Sequence, residues 1–144
     1  MIALFRGVSC VSWAVRWQTR SIYSHAALVT NHGTLIEAVE FVGVRERAIR
    51  KTDKYDLFSV EGLTPEKLNI ATDVTRSLIG KPYDYLSVLR FLSRRKPSHN
   101  NRWFCSELVF AAMESVGIKL LDRITAAEVS PKLLSISPLL CPVS

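Results

Sequence analysis

Cysteine is scarce in this chain of 144 residues, which has only Cys10, Cys105 and Cys141 and no CxxC pair. An odd number of cysteines excludes a disulfide framework that is completed within one chain. No apolar run approaches the ~18 residues that a membrane-spanning helix needs. Arg6 interrupts the apolar N-terminus early, which is not typical of a signal peptide. We therefore expect a cytoplasmic protein with reduced thiols and no membrane span.

Acidic residues are also few, and the formal net charge is +6. Segment 90–102 is the densest basic run, with five arginine or lysine residues and no acid. It suits either a solvated loop or a surface for an anionic partner. No aromatic residue lies between Arg94 and Arg102, so base stacking is poorly supported and we expect no specific nucleic-acid recognition.

The apolar content of 48% is sufficient for one hydrophobic core, and the length suits a single domain over residues 1–144. Strand patterns cluster in the first sixty residues and helical patterns follow, so we predict an α+β fold with an antiparallel sheet. The predicted strands are Ile2–Phe5, a hairpin around Asn31-His32-Gly33, Val44–Ile49 and Tyr55–Val60. Helices are predicted from Thr64-Pro65 to Gly80, after Asp84, and from Cys105 to Gly117, followed by a tail of short turns.

Two apolar stripes define the buried faces of these helices. The first predicted stripe is Leu68, Ala71, Val74, Thr75 and Leu78, and the second is Leu108, Val109, Ala112, Met113 and Val116.

Cys105 lies at or just before the first turn of the last long helix. Unpaired backbone N–H groups and the helix dipole favour an anion at this position. A free thiol has a pKa of about 8.5, which a helix N-terminus and a nearby cation lower. However, a cysteine next to Trp103 and Phe104 also fits a small buried hydrophobic residue. The residues alone leave both interpretations open.

A nucleophilic cysteine needs a base. His32 and His99 lie in polar segments where solvent exposure is expected, whereas His25 begins an apolar strand. If the hairpin loop has three residues, Glu37 is the diagonal neighbour of His25 on the same face; with a two-residue loop, Glu40 stands opposite His25. We favour Glu37, because it interrupts an apolar run. Its carboxylate would fix the imidazole tautomer. No metal-ligand spacing is evident, so no metal or cofactor is expected.

Five short motifs in this order resemble the permuted NlpC-type papain-like cysteine hydrolases of the YiiX-like group. They are Tyr23–Ala27, Gly33–Ala38, Gly43–Val44, Gly80–Tyr85 and Phe104–Val109. The resemblance implies a circularly permuted papain-like fold whose cysteine heads a helix packed on the sheet. It also implies His25 as the base, Glu37 as its orienting acid and Cys105 as the nucleophile. The tyrosine that lines the site in the family best matches Tyr83, with Tyr85 as the alternative.

The expected function is therefore that of a cysteine amidase or peptidase, which cleaves an amide or ester bond through a thioester. An acyltransferase or esterase acting on a lipid, and a non-catalytic module that binds through segment 90–102, are the alternatives. A small molecule, a peptide or a lipid is compatible with the same residues. The oligomeric state is open.

Overall fold

A computed structural model describes residues 1–6, 17, 20–83 and 104–143 of the chain. Within them the fold is α+β, as the sequence predicts. Several predictions fall on other residues and lie outside this description: the helix after Asp84, the position of Tyr85, and the basic segment 90–102. Cys10 and His99 lie outside it as well.

The strands build one antiparallel sheet. Their bounds are β1 Ile2–Phe5, β2 His25–Val29, β3 Thr34–Val39, β4 Gly43–Ala48, β5 Tyr55–Val60 and β6 Leu140–Pro142. The spatial order is β4-β3-β2-β1-β5-β6, and each neighbouring pair is antiparallel. All four residues of β1 are buried, since this strand lies between β2 and β5 and is apolar on both faces. His25 is the first residue of β2, which is an inner strand, so it lies at the end of a strand in the middle of the sheet.

The β2–β3 hairpin has the register of the predicted three-residue loop. Leu28 pairs with Ile36 and Val29 with Leu35, and the Thr30 N–H donates to the Thr34 carbonyl oxygen over 2.9 Å. Gly33 in the loop has φ +71°, a conformation that glycine adopts without strain. A two-residue loop, which would have set Glu40 opposite His25, is not formed here. Glu40 lies in the turn between β3 and β4.

Three helices follow the first five strands in the described residues: α1 Pro65–Arg76, α2 Cys105–Glu114 and α3 Pro131–Ser135, with a 3₁₀ turn at Ala126–Glu128 between α2 and α3. Helix α2 lies against β2 and β3. Its predicted stripe is buried at Leu108, Val109, Ala112 and Met113 and partly buried at Val116. None of the helices in the described ranges has the length and hydrophobicity that a membrane crossing requires.

Two predictions about the fold were wrong. The C-terminal tail is not only short turns, because it contains α3 and the edge strand β6, which pairs with β5 at Phe58–Pro142, Ser59–Cys141 and Val60–Leu140. Cys141 is exposed on this edge. In α1, Val74 is 38% exposed, whereas Thr72 is buried beside Leu68 and Ala71. Leu68, Ala71 and Thr75 are buried as predicted, so the predicted face of α1 is confirmed except at Val74.

The segment that follows α1 is fastened to β4. The Val44 N–H donates to the Lys81 carbonyl oxygen and the Gly80 N–H donates to the Val44 carbonyl oxygen, both over 2.9 Å. Gly43 has φ +88°, and a Cβ at this position would collide with the Lys81 backbone oxygen. A glycine is therefore required where these two segments meet. This contact positions Tyr83, two residues after Lys81, where its side chain is buried.

Candidate active site

His25 and Glu37 form a hydrogen-bonded pair across the β2–β3 hairpin. The Nε2 atom of His25 lies 2.9 Å from Oε2 of Glu37. Glu37 is almost completely buried, with 2% of its side chain exposed, and the imidazole is 20% exposed. The favoured hairpin register thus brings the two predicted residues together, with the carboxylate directed at one ring nitrogen.

The Glu37 carboxylate also accepts hydrogen bonds from two arginines of β4. These arginines were not predicted from the sequence. Arg45 donates to Oε1 from Nε over 3.0 Å and from Nη2 over 2.9 Å. Arg47 donates to the same oxygen from Nε over 2.7 Å. The alternation Arg45-Glu46-Arg47 was the available signal, since it places two cations on one face of the strand that pairs with the strand of Glu37.

These contacts shift the pKa values of both partners. Burial by itself raises the pKa of Glu37, but hydrogen bonds from His25, Arg47 and Arg45 outweigh it and lower the value from 4.5 to about 2. Burial lowers the pKa of His25, whereas the Cys105 sulfur and the Glu37 carboxylate raise it more strongly, from 6.5 to about 10. The arrangement therefore favours the imidazolium form of His25.

Cys105 lies at the first position of α2 with its side chain fully buried. Its side chain lies close enough to the His25 ring to raise the pKa of that ring. The structure thus brings Cys105, His25 and Glu37 together, although the cysteine and the hairpin are far apart in the chain. The N-terminal end of a helix stabilises a thiolate, and so does an adjacent imidazolium.

Tyr83 belongs to the same buried cluster as Cys105. The cluster contains Ile36, Ala38, Val44, Tyr83, Phe104, Cys105 and Leu108. The ring centroid of Tyr83 lies 5.8 Å from that of Phe104 at an interplanar angle of 60°, a tilted arrangement that aromatic pairs favour. Tyr83 therefore shares a buried cluster with Cys105, and its assignment as the tyrosine that lines the site stays a prediction.

The start of α2 is held by its own side chains. The Glu107 carboxylate accepts a hydrogen bond from the Phe104 N–H at 2.9 Å, across the first turn. The Ser106 hydroxyl donates to the Val129 carbonyl oxygen at 2.7 Å, which ties the first turn to the end of the 3₁₀ turn. These contacts hold the first turn of α2, and with it the Cys105 backbone, against the end of the 3₁₀ turn.

Comparison with known proteins supports the fold. The chain superposes on the crystal structure of metalloprotein YiiX from Escherichia coli O157:H7, a DUF1105 protein, with a TM-score of 0.76 and 22% sequence identity. The match covers 99% of this chain and 94% of that one. At this identity, the similarity establishes a shared YiiX-like α+β fold. No family model matches the chain, and no curated protein is similar to it.

That neighbour is described as a metalloprotein. Across residues 1–6, 17, 20–83 and 104–143, no three His, Cys, Asp or Glu side chains are grouped so that they would hold a metal ion. The donor set around Glu37 is instead cationic, with two guanidinium groups on one carboxylate oxygen. No step below is assigned to a metal.

Proposed function

We propose that this protein is a cysteine hydrolase that cleaves an amide or ester bond through an acyl-thioester on Cys105. The observation that carries the proposal is the contact between Cys105 and His25, whose other partner is the buried Glu37 carboxylate. A nucleophile, a base in contact with it and a group that orients the base are the elements of a catalytic triad. A binding module has no need of all three.

In the proposed mechanism, the Cys105 thiolate attacks the carbonyl carbon of the substrate. A carbon–sulfur bond forms as the bond to the leaving amine or alcohol breaks, and the His25 imidazolium gives its proton to that leaving group. Water then attacks the thioester while His25 accepts its proton. The carbon–sulfur bond breaks, which releases the acid and restores the thiolate–imidazolium pair. Glu37 occupies Nε2, so Nδ1 is the ring nitrogen assigned to these transfers.

The negative oxygen formed in each step needs donors. The backbone N–H of Cys105, at the start of α2, is assigned to it, together with the Tyr83 hydroxyl from the same cluster. The helix N-terminus favours the developing negative charge as well.

The order base, acid, nucleophile along the chain and the YiiX-like fold support membership of the permuted NlpC-type papain-like superfamily. The substrate class that follows is an acyl compound with an amide or ester bond: a peptide, a lipid or a smaller molecule. Transfer of the acyl group to an acceptor other than water uses the same thioester, so an acyltransferase is the alternative within this chemistry.

The proposal is tested by treating the protein with a panel of acyl and peptidyl probes that carry a thiol-reactive or ester group. We expect covalent adducts on Cys105, located by peptide mass spectrometry, and their loss in Cys105→Ser and His25→Ala. Cys141→Ser is the matched control, because it removes an exposed thiol on the sheet edge. This variant should label as the wild type does. Adducts that appear mainly on Cys141, or that do not depend on His25, would remove the basis of the proposal.

A further inference from the structure

The two oxygens of Glu37 have different partners. Oε1 accepts three N–H groups from Arg45 and Arg47, at 2.7 to 3.0 Å. Oε2 lies 2.9 Å from Nε2 of His25. A carboxylate bound in this way has little freedom to rotate, because exchanging its oxygens would break three charge-assisted hydrogen bonds.

Arg47 is itself held in place. Its Nη1 donates to Asp53 Oδ2 at 2.7 Å and to the Ala48 carbonyl oxygen at 3.0 Å, and its Nη2 reaches Asp53 Oδ1 at 3.3 Å. Both side chains of this pair are mostly buried, with 15% of Arg47 and 14% of Asp53 exposed. The contacts form a continuous series from Asp53 through Arg47 and Glu37 to His25.

We propose that Arg47, assisted by Arg45, is a positioning residue that keeps Glu37 ionised and fixes the oxygen that faces His25. Asp53 holds Arg47 in the orientation that this role requires. The inference rests on the proposed function, since it assigns the arginines a role in setting the reactivity of Cys105. Neither arginine contacts Cys105 in the series of bonds described above, so each acts through Glu37.

The physical reason is the cost of burying a carboxylate. Without cations, burial favours the neutral acid, and a protonated Glu37 would no longer stabilise an imidazolium. The charged groups that face Glu37 are His25 from β2, Arg45 and Arg47 from β4, and Asp53 through its bonds with Arg47. The charges of Arg45 and Arg47 balance those of Glu37 and Asp53. The groups of the site that lie outside this balance are His25 and Cys105.

A second carboxylate on β4 supplies a matched control. Glu46 lies between Arg45 and Arg47 in sequence and pairs with Ile36, so strand alternation directs it to the other face of the sheet. Arg76 donates to it from Nε at 2.9 Å and from Nη2 at 2.8 Å. Its hydrogen bonds with Arg76 and Thr34 lower its pKa from 4.5 to about 2, as found for Glu37. Arg76→Met therefore removes a comparable arginine–glutamate pair without touching His25.

The experiment compares Arg47→Met with Arg76→Met by two measurements. Carbon-13 NMR follows the titration of each glutamate carboxyl group, and the alkylation rate of Cys105 by iodoacetamide is recorded against pH. In Arg47→Met we expect the titration of Glu37 to rise by about 1 to 3 pH units. The acidic limb of the alkylation profile should move to higher pH by about one unit. The reason is that Glu37 becomes protonated at a higher pH and then no longer stabilises the imidazolium. Arg76→Met should move Glu46 and leave the alkylation profile unchanged.

Two further variants separate positioning from a merely structural role. Arg47→Lys retains the charge, so it should fold and show a smaller shift than Arg47→Met. In a Glu37→Gln background, Arg47→Met should cause no further change in alkylation, because its effect passes through the carboxylate. A shift that persists in this background overturns the inference, and so does a folded Arg47→Met protein with the wild-type profile.

Failure of the proposed function is recognised separately. It would appear in the wild-type protein, as Cys105 alkylation that does not respond to His25→Ala. Failure of the present inference would appear only in the arginine variants, with the dependence on His25 intact.

Discussion

Helices α1 and α2 begin in opposite ways. At the start of α1, the exposed Thr64 accepts a hydrogen bond from the Lys67 N–H through its Oγ1, and Pro65 occupies the first position. At the start of α2, the cap position is Phe104, whose side chain has no acceptor, and both Phe104 and Cys105 are fully buried. The first arrangement is a common way to satisfy and stabilise a helix terminus.

The second arrangement places an aromatic ring where a capping hydroxyl usually stands, and the Cys105 sulfur follows at the first helical position. It directs the positive end of the α2 dipole at Cys105, next to an imidazole that is itself bound to a carboxylate. Under the proposed function, the start of α1 serves stability, whereas the start of α2 positions a reactive group. Sites of function are where a chain most often departs from the locally favoured residue.

The largest expected effect is that of replacing His25 on how the free energy of unfolding depends on pH. The pKa of His25 in the fold, about 10, lies above its ordinary 6.5, so the folded protein keeps a proton that the unfolded chain releases between these values. This contribution to stability is complete below pH 6.5 and is lost as the pH rises toward 10. Because the Cys105 thiol of the unfolded chain also holds a proton up to about pH 8.5, we expect wild type to lose stability relative to His25→Gln mainly in the upper part of this range.

Urea unfolding at a series of pH values measures this difference. Other groups that titrate in the range affect both proteins, so the comparison isolates His25 and its partners. The exposed turn residue His32 provides the control, and His32→Gln should follow the wild-type curve. Parallel curves for wild type and His25→Gln would mean that His25 is not held as an imidazolium.

The smallest effect is expected at the start of α1. Thr64→Ala removes the acceptor of the Lys67 N–H and should lower the free energy of unfolding by about 1 kcal/mol. The alkylation rate of Cys105 should not change, because this terminus serves stability alone. Thermal unfolding and iodoacetamide kinetics on the same sample measure both quantities. A slower Cys105 in Thr64→Ala would contradict the separation of roles between the two helix starts.

Local patterns were sufficient for much of the sheet and for the His25–Glu37 pair. The Asn31-His32-Gly33 turn predicted the hairpin but left two loop lengths open, and Glu37 was favoured over Glu40 because it interrupts an apolar run. The three-residue register brings Glu37 to His25. The amphipathic stripe that ends at Gly117 likewise identifies α2.

Features that depend on tertiary contacts were not predicted. Strand β6 has only three residues, one of them Pro142, and it exists because the edge of β5 is available for pairing. The burial of Thr72 in place of Val74 depends on which side of α1 meets the rest of the fold. The roles of Arg45 and Arg47 depend on a buried carboxylate on the neighbouring strand, and neither arginine stands out by itself.

The central claim is that Cys105 is a nucleophile activated by His25, and its most direct test is the alkylation of individual thiols by iodoacetamide. Accessibility alone predicts that the exposed Cys141 reacts faster than the buried Cys105. We expect the opposite below about pH 8, because a helix N-terminus and an imidazolium stabilise the Cys105 thiolate, whereas an unperturbed thiol titrates near 8.5. In His25→Ala, Cys105 should become the slower thiol. Faster labelling of Cys141 in wild type, or a Cys105 rate that does not respond to His25→Ala, would contradict the claim and leave Cys105 as a structural residue.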